Sequence, residues 1–209
     1  STALLTPSQL EFFVAMEQYE LPSVGHEPSS LSRKGVGSRF LAEASSVFIR
    51  KRPLTGFRLP SDANQPIVMV CAGVAVSPFV GFLRQARAEG RLLHGSVLYY
   101  GFRRADWDFL VGEELATLAR QTGVQLRLAQ SRHDASEQRR YVQDVLREDG
   151  PLIWQLMSQH GASIYVCGDE LGMVRGVNEA LPSIVQLGAG IGEAEAKDVV
   201  KQWTACKRI

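Results

Sequence analysis

The sequence predicts an α/β fold in which helices cover both faces of a parallel, doubly wound sheet. Apolar runs at residues 67–71, 96–100, 124–130 and 163–167 alternate with helical patterns from residue 66 onward. Such alternation is typical of a parallel sheet, because a crossover between parallel strands usually carries a helix. With 45% apolar residues among 209, the chain can also supply the core that this fold requires.

The first 61 residues predict strands and loops rather than a complete domain. Strand-like runs lie at residues 12–16, 47–51 and 57–60, and residues 21–38 are rich in Pro, Ser and Gly. Residues 3–20 alternate like strand material without nearby partners, and the chain begins at Ser1 rather than Met. We therefore expect an incomplete domain over residues 1–61, a second domain over residues 62–209, and a longer parent protein.

The first predicted helix follows the strand at residues 67–71. Ser77 is its expected N-cap, Pro78 suits its first turn, and Gly90 is its expected stop. Its buried stripe and four later helices are predicted by apolar residues at helical spacing, namely Phe79, Phe82, Leu83 and Ala86, then Val111, Leu115 and Leu118, then Val142, Val145 and Leu146, then Ile153, Leu156 and Met157, and then Val174, Val177 and Leu181. A last helix is predicted over residues 193–205.

Charge and composition argue against several classes of function. The 23 basic and 22 acidic residues are interleaved and give a net charge of +1, so we expect no nucleic-acid partner. No apolar run reaches the ~20 residues that span a bilayer, so we expect no membrane contact by this part of the protein. Cys71, Cys167 and Cys206 have neither metal-ligand spacing nor an even count, which predicts no metal site and favours a reducing, cytoplasmic location.

Small residues at two places indicate contacts to a nucleotide. Gly73, Val74 and Ala75 join the first strand to the first helix, where backbone amides could approach a pyrophosphate closely. The alternative is a tight turn without a ligand. A second small-residue turn, suited to another pyrophosphate or simply a generic loop, consists of Gly35, Val36, Gly37 and Ser38.

Cationic and hydroxyl side chains after the strand at residues 124–130 suit a phosphate monoester. Ser131 and Arg132 follow that strand directly, and Arg139, Arg140 and Tyr141 precede the next helical pattern. A guanidinium fork binds phosphate oxygens bidentately, so a ribose phosphate is expected here. The alternative is a solvated face of the protein.

Arg103 follows the strand at residues 96–100 and is expected beside the same crevice. Ligands of open parallel sheets bind outside the carboxyl ends of the strands, which is where this side chain would lie. The alternative is a surface pair of Arg103 and Arg104 that faces Asp106 and Asp108.

Cys167 and Asp169 place a thiol and a carboxylate after the last predicted strand. The alternative for Cys167 is inert packing, which is the usual role of a buried cysteine. A thiol enzyme is a further possibility, but it needs a base. The four histidines, His26, His94, His133 and His160, are remote from Cys167 in the sequence, and none lies in a motif.

In their order along the chain, these motifs resemble the C-terminal FAD- and NADP-binding region of the diflavin reductases, with the NADPH-dependent cytochrome reductases as the leading subfamily. The resemblance covers residues 12–208. Its most specific stretches are residues 98–104 with 108–110 and 113–115, residues 131–132 with 141–143, and residues 164–169 with Met173. It implies a ferredoxin-reductase-like NADP-binding domain preceded by the last part of an antiparallel FAD-binding β-barrel.

The resemblance also implies an activity. In this family a hydride passes from NADPH to FAD, and electrons then pass through FMN on another domain to a haem protein or a similar acceptor. The expected cofactors are therefore NADPH, FAD and, in the parent chain, FMN. The expected partners are the FMN domain of the same parent chain and a redox acceptor protein. Anchoring of the parent on the cytosolic face of the endoplasmic reticulum is one option.

Individual residues match the family's site positions. Cys167 and Asp169 match the catalytic cluster beside the nicotinamide, where the thiol acts by positioning. The matches to NADP contacts are Gly73, Val74, Ala75, Arg103, Ser131, Arg132, Arg139, Arg140, Tyr141, Gln143 and Met173. Among them, Ser131, Arg132, Arg139 and Tyr141 match the 2′-phosphate pocket, with Arg140 as the alternative to Arg139. The matches to the FAD diphosphate loop are Gly35, Val36, Gly37 and Ser38.

The sequence departs from the family pattern in four respects. Val74 and Ala75 stand where the family usually has Thr and Gly, which removes a hydroxyl and adds a β-carbon near the diphosphate. The FAD-gripping motif of Arg, two aromatics and Ser, the terminal strand with its stacking aromatic, and the FMN domain are all absent. The alternatives are a catalytically degenerate nucleotide-binding or interaction module, or another diflavin subfamily such as the sulfite reductase flavoprotein or the iron–sulfur assembly reductase.

Overall fold

The computed structural model describes residues 10–16, 18–20, 32–50, 56–132 and 139–209. The chain divides into two compact units. One unit contains Gly56–Ile209 together with a short N-terminal piece that ends at Glu11, and the other contains Phe12–Thr55.

The larger unit is built on a four-stranded parallel sheet. Its strands are β3 (Ile67–Ala72), β4 (Val97–Phe102), β5 (Gln125–Gln130) and β6 (Ser163–Cys167), in the order β5-β4-β3-β6. All three pairings are parallel. The predicted α/β fold class is therefore confirmed, and each strand lies where an apolar run predicts it.

The strand order places a crevice between β3 and β6. From β3 the chain moves through β4 to β5 in one direction, and it then returns to place β6 on the other side of β3. Open α/β sheets bind their ligands at such a reversal, outside the carboxyl ends of the strands. Gly73 after β3 and Cys167 at the end of β6 border this crevice.

Six helices cover the sheet and confirm the predicted helical segments. They are α2 (Ser77–Ala88), α3 (Gly112–Thr122), α4 (Val142–Glu148), α5 (Gly150–Gln159), α6 (Arg175–Ala189) and α7 (Glu193–Ala205). Among them, α6 contains Pro182 and α7 spans the predicted range. No helix in the described part of the chain is long and apolar enough to cross a membrane.

Both faces of the sheet are buried. Successive side chains of a strand point to opposite faces, and on one face Val68 and Val70 join a buried cluster with residues of α4, α5, α6 and α7. On the other face, Met69 lies in register with Tyr165, whose ring contacts Phe82 of α2 at a centroid distance of 5.4 Å. Helices on both faces are the arrangement that a doubly wound sheet requires.

The predicted N-cap at Ser77 is wrong. A short 3₁₀ turn, Gly73–Val76, continues directly into α2, and Ser77 already has helical φ and ψ angles of −48° and −50°. An N-cap residue has a non-helical backbone, so Ser77 lies inside the helix rather than before it. The predicted stop is confirmed, since Gly90 follows the last turn with φ at +63°.

The smaller unit contains a two-stranded antiparallel sheet of β1 (Gln18–Glu20) and β2 (Ser32–Lys34), followed by the helix α1 (Val36–Glu43). The strands predicted at residues 12–16, 47–51 and 57–60 are wrong wherever the structure describes them. A strand needs a neighbour to bond its backbone groups, and the described residues offer these runs none. Residue 51 and most of residues 21–38 lie outside the described residues, and the FAD-binding barrel stays a prediction.

Candidate functional site

The parallel strands bring distant parts of the sequence to one edge of the sheet, which we call the carboxyl edge. Across this edge, Ser131 follows β5, Arg103 follows β4, Gly73 follows β3 and Cys167 ends β6. Neighbouring strands lie about 4.8 Å apart, so the three steps from β5 to β6 span about 14 Å. The edge therefore carries cationic side chains at one end and a thiol at the other.

Backbone hydrogen bonds hold the loops after β4 and β5 side by side. The Ser131 amide donates to the Phe102 carbonyl at 2.9 Å, and the Arg132 amide donates to the Arg103 carbonyl at 2.9 Å. The Ser131 hydroxyl also donates to the Phe102 carbonyl at 3.3 Å. Arg103 and Arg132 are both exposed. The structure thus brings together Arg103, Ser131 and Arg132 as expected.

The residues before α4 return to the same strand end. The Arg140 amide bonds the Gln130 carbonyl at 3.4 Å, while the Arg140 guanidinium pairs with Glu148. Arg139 is exposed, and no described residue bonds its guanidinium. Tyr141 is exposed and caps α4, its amide held by the Asp144 carboxylate at 3.0 Å. Arg139 is therefore better placed than Arg140 to bind an anion.

Two residues that sequence reasoning did not identify as part of the site shape the loop that carries Arg103. The Asp108 carboxylate accepts from the amides of Arg103 at 2.8 Å and Arg104 at 3.0 Å. The Tyr100 hydroxyl donates to the Asp108 carbonyl at 3.1 Å and accepts from the Leu110 amide at 3.1 Å. Burial raises the pKa of Tyr100 to about 12, so the hydroxyl keeps its proton at neutral pH.

The expected alternative for this loop, a surface arginine pair facing two acids, holds for Arg104 only. Arg104 pairs with Asp106 at 2.6 Å, and this pairing lowers the pKa of the Asp106 carboxyl. The Asp108 carboxylate instead accepts hydrogen bonds from backbone amides. The sequence alone does not distinguish these two acids, because both lie within five positions of an arginine. In the structure, Asp106 binds an arginine side chain and Asp108 binds the backbone of the loop.

Gly73, Val74 and Ala75 form most of the 3₁₀ turn at the centre of the carboxyl edge. Gly73 has φ at +55°, in the left-handed region where a side chain is strained. A β-carbon at Gly73 would meet nothing within 4 Å, so open space lies beside it. The first amides of such a turn have no partner within it, which suits an anionic group.

At the other end of the edge, Cys167 is half-buried and burial raises the pKa of its thiol. Gly168 follows, and a β-carbon there would overlap the terminal methyl of Met173. The structure therefore packs the Met173 side chain against the turn after Cys167. Because Gly168 has no side chain, the Met173 methyl can occupy this position.

Asp169 begins a single π-helical turn, Glu170–Val174, which leads into α6. Its carboxylate accepts from the Gly172 amide at 2.6 Å. π-turns inside or beside α-helices are frequent at functional sites. Gln143 of α4 lies beside the first turn of α6, because a β-carbon at Gly176 would be 3.1 Å from the Gln143 side-chain carbonyl carbon.

The described histidines do not support a thiol enzyme. His94 precedes β4 and His160 precedes β6, so both lie at the amino ends of their strands and Cys167 lies at a carboxyl end. His26 and His133 lie outside the described residues. A nucleophilic cysteine also needs a lowered pKa, whereas that of Cys167 is raised.

Gly35, Val36, Gly37 and Ser38 belong to the smaller unit and begin a helix, which corrects the expected loop. Gly35 is the N-cap of α1, and the Ser38 hydroxyl donates to the Gly35 carbonyl at 3.3 Å. A β-carbon at Gly37 would meet nothing within 4 Å. The first amides of a helix lack partners within it and favour anions.

In the described part of the chain, no group of three or more His, Cys, Asp or Glu side chains could hold a metal ion.

The chain matches a known family over more than half of its length. The family described as "Oxidoreductase NAD-binding domain" matches residues 69–179. This range begins in β3 and ends in α6, so it contains every candidate residue at the carboxyl edge.

Several proteins named NADPH–cytochrome P450 reductase are similar to this chain. The protein of Oryctolagus cuniculus is 43% identical over 161 residues, which are 75% of this chain and 23% of the relative. The protein of Aspergillus terreus is 33% identical over 193 residues, covering 91% and 28%. The protein of Musca domestica is 30% identical over 219 residues, covering 100% and 31%.

The chain therefore spans 23–31% of the length of these three relatives, and the similarity to the Musca domestica protein extends along all of it. The motif order, the parallel sheet and the matched range agree with one another. The chain belongs to the oxidoreductase NAD-binding domain family and is a member of the diflavin reductases.

Proposed function

We propose that this chain binds NADPH across its carboxyl edge and, within a longer diflavin reductase, places the nicotinamide for hydride transfer to FAD. One observation carries the proposal: a single edge holds Arg103, Ser131 and Arg132 at one end and Cys167 at the other. An extended dinucleotide with a phosphate at one end and a reactive ring at the other suits this arrangement. Residues 1–61 are then the end of the FAD-binding barrel, and residues 62–209 are the NADP-binding domain.

The cationic end provides selection for NADPH over NADH. The two cofactors differ by the 2′-phosphate, and exposed guanidinium groups with a nearby hydroxyl bind such a dianion through charge-assisted hydrogen bonds. Arg132 and Arg103 are held next to each other by their backbone bond, which restricts where their side chains reach. Arg139 and Tyr141 return to the same strand end and complete the pocket.

The centre of the edge would hold the diphosphate. The 3₁₀ turn Gly73–Val76 presents amides without partners at the point where the strand order reverses. Gly73 leaves open space for the approach of the ligand. Val74 and Ala75 contribute no hydroxyl, so binding here rests on backbone donors alone.

The thiol end would position the nicotinamide. NADPH supplies the hydride and FAD accepts it, so the protein contributes placement and electrostatics. The raised pKa keeps the Cys167 thiol protonated at neutral pH, so in hydride transfer it is a weak donor and a compact packing group and forms no covalent bond to the cofactor. The Asp169 carboxylate accepts a hydrogen bond from the Gly172 amide, and the Met173 side chain packs against the turn after Cys167.

The smaller unit would contribute to the FAD site. The N-terminus of α1, with Gly35, Gly37 and Ser38, offers amides and a hydroxyl to the FAD diphosphate. The names of the relatives support a haem protein as the electron acceptor. By the resemblance to the diflavin reductases, electrons would reach it through an FMN domain of the same parent chain. A cytoplasmic location, with the parent on the cytosolic face of the endoplasmic reticulum, fits the same proposal.

A catalytically degenerate nucleotide-binding module is the second candidate. It is favoured by Val74 and Ala75, whose side chains are half-buried in the turn that would hold the diphosphate. A different diflavin subfamily would keep the chemistry and change only the acceptor.

Stopped-flow absorbance of the longer, flavin-loaded protein distinguishes the two candidates. We expect NADPH to bleach the FAD absorbance faster than NADH does. Cys167→Ser should slow the bleaching by about 10- to 100-fold, the range for a displaced reacting group, and Cys206→Ser should not, because Cys206 is exposed beyond the end of α7. If NADPH binds without bleaching the FAD, the chain is a catalytically degenerate nucleotide-binding module.

A further inference from the structure

Cys71 of β3 and Cys167 of β6 lie side by side on neighbouring strands at the carboxyl edge. They are register partners in the parallel pairing of β3 with β6. Register partners of parallel strands point to the same face of the sheet, so both thiols lie on the face that carries α2. Cys71 is fully buried and Cys167 is half-buried, and both are free thiols.

The backbone positions are compatible with a covalent link. Paired strands lie about 4.8 Å apart, which is inside the range of about 4.4–6.8 Å between the α-carbons of a disulfide. The nearby Cys167 also contributes to the raised pKa of Cys71, after burial, which is the larger cause. The two sulfurs are therefore close enough to influence each other in the reduced protein.

We propose that Cys71 and Cys167 are a modification site, a dithiol that a hydroperoxide converts to an intramolecular disulfide. The consequence for NADPH rests on the proposed function, because Cys167 lies at the candidate nicotinamide end of the carboxyl edge. The disulfide removes the thiol from that end and ties β6 to β3. Hydride transfer stops until a dithiol reductant restores the pair.

The chemistry balances with the hydroperoxide as the oxidant. The Cys167 thiol, which solvent reaches, first loses its proton, a step that its raised pKa makes slow at neutral pH and faster as the pH rises. The thiolate attacks one peroxide oxygen, the O–O bond breaks, and the other oxygen takes up a proton and leaves as water or an alcohol. The Cys71 sulfur then attacks the resulting sulfenic acid, the S–S bond forms, and the S–O bond breaks to release water. The two thiols lose two electrons and two protons, and the hydroperoxide gains them.

The location of the pair predicts an easily reduced bond. The β-carbons of a disulfide lie about 3.5–4.5 Å apart, closer than the usual strand spacing, so β3 and β6 must approach each other locally. A disulfide that strains its surroundings is more readily reduced. The same pairing protects Cys167, because a neighbouring thiol captures the sulfenic acid before a second peroxide oxidises it further.

Mass spectrometry of the 209-residue chain tests the pair without reference to activity. The variant Cys206→Ser removes the remaining exposed thiol, so only the pair is left. It is treated with hydrogen peroxide, unfolded, alkylated with N-ethylmaleimide and digested. We expect a mass lower by two hydrogens, no alkylation, a linked peptide that contains Cys71 and Cys167, and full reversal by dithiothreitol.

A second variant, Cys71→Ala in the Cys206→Ser background, is the matched control. It should form no linked peptide, and peroxide should carry its Cys167 to sulfinic acid that dithiothreitol does not reverse. Circular dichroism confirms that the variant is folded. The proposal is overturned if the chain with both thiols gives sulfinic acid at Cys167 while Cys71 remains free for alkylation, or if the linked peptides join two chains.

NADP⁺ titration of the oxidised and reduced chains separates this inference from the proposed function. A linked peptide without any NADP⁺ binding by the reduced chain would support the dithiol and contradict the proposed function. NADP⁺ binding without a linked peptide would do the reverse. We expect both the linked peptide and binding by the reduced chain.

Discussion

Replacing Asp108 tests whether the loop after β4 positions Arg103. The Asp108 carboxylate accepts from the amides of Arg103 at 2.8 Å and Arg104 at 3.0 Å. Asp108→Ala removes the single oxygen, Oδ1, that accepts both bonds, and it leaves the Tyr100 bond to the backbone of residue 108 in place. Asp108→Asn keeps one acceptor oxygen in the same position and removes only the charge.

The expected loss follows from the two hydrogen bonds. Each bond to a charged group contributes about 1.5–3 kcal/mol when it is protected from water. Both lie at an exposed position, where water replaces the carboxylate, so we expect Asp108→Ala to lower the free energy of unfolding by about 1–2 kcal/mol in total. The loosened loop should also weaken NADP⁺ binding by up to roughly tenfold, or about 1.4 kcal/mol.

Urea unfolding followed by circular dichroism measures the first effect, and calorimetric titration with NADP⁺ measures the second. Asp108→Asn should lose less in both assays. Asp106→Ala is the matched control, because Asp106 is fully exposed and pairs with the Arg104 side chain, so little change is expected. If the free energy of unfolding of Asp108→Ala lies within about 0.5 kcal/mol of that of the unchanged chain, the usual range for neutral surface substitutions, Asp108 does not hold this loop in place.

Three further outcomes follow from the packing and the thiol environment. Gly101→Ala should be tolerated, because its β-carbon would lie 3.4 Å from an α4 side chain. Gly101→Val should lower the free energy of unfolding in urea by about 1–3 kcal/mol, because its two additional methyl groups have no room. Gly188→Ala should lower the free energy of unfolding by about 1–3 kcal/mol, although helix propensity alone predicts a gain, because its β-carbon would overlap the Trp154 ring. An unchanged melting curve would show that the ring moves freely. At pH 7, iodoacetamide should alkylate Cys167 more slowly than Cys206, and the rate should rise with pH, because the raised pKa of Cys167 leaves little thiolate at neutral pH; equal rates would contradict the raised pKa.

The sheet and its helices were predictable because burial on both faces leaves a strong pattern in the sequence. β3 is an apolar run without interruption, and its helix α2 carries an apolar stripe that ends near Gly90. The N-cap at Ser77 failed because residues 73–76 adopt helical turns of their own, and small residues between a strand and a helix do not show where the helix begins. The strands predicted before residue 61 failed because an apolar run alone does not indicate a pairing partner.

The candidate site was predictable in its residue types and less so in its arrangement. Ser131, Arg132 and Cys167 stand directly after predicted strands, and the rule that parallel strands share their carboxyl ends places them on one edge. The pairing of Arg140 with Glu148 needed the structure, because it joins residues eight positions apart across a helix. Asp108 was also missed, since a carboxylate that binds backbone amides has the same sequence signature as one that pairs with a neighbouring arginine.

The most direct test of a 2′-phosphate pocket at the carboxyl edge is a calorimetric titration of this chain with NADP⁺ and, separately, with NAD⁺, using Arg132→Ala and the control Arg120→Ala. Arg120 is exposed in the last turn of α3, near the amino end of β5 and away from the carboxyl edge. We expect NADP⁺ to bind much more tightly than NAD⁺, Arg132→Ala to weaken NADP⁺ binding by about 1.5–3 kcal/mol, or roughly 10- to 150-fold, and Arg120→Ala to have no effect. Equal affinities for the two nucleotides, or an Arg132→Ala variant that binds NADP⁺ as tightly as the unchanged chain, would contradict a 2′-phosphate pocket at this edge.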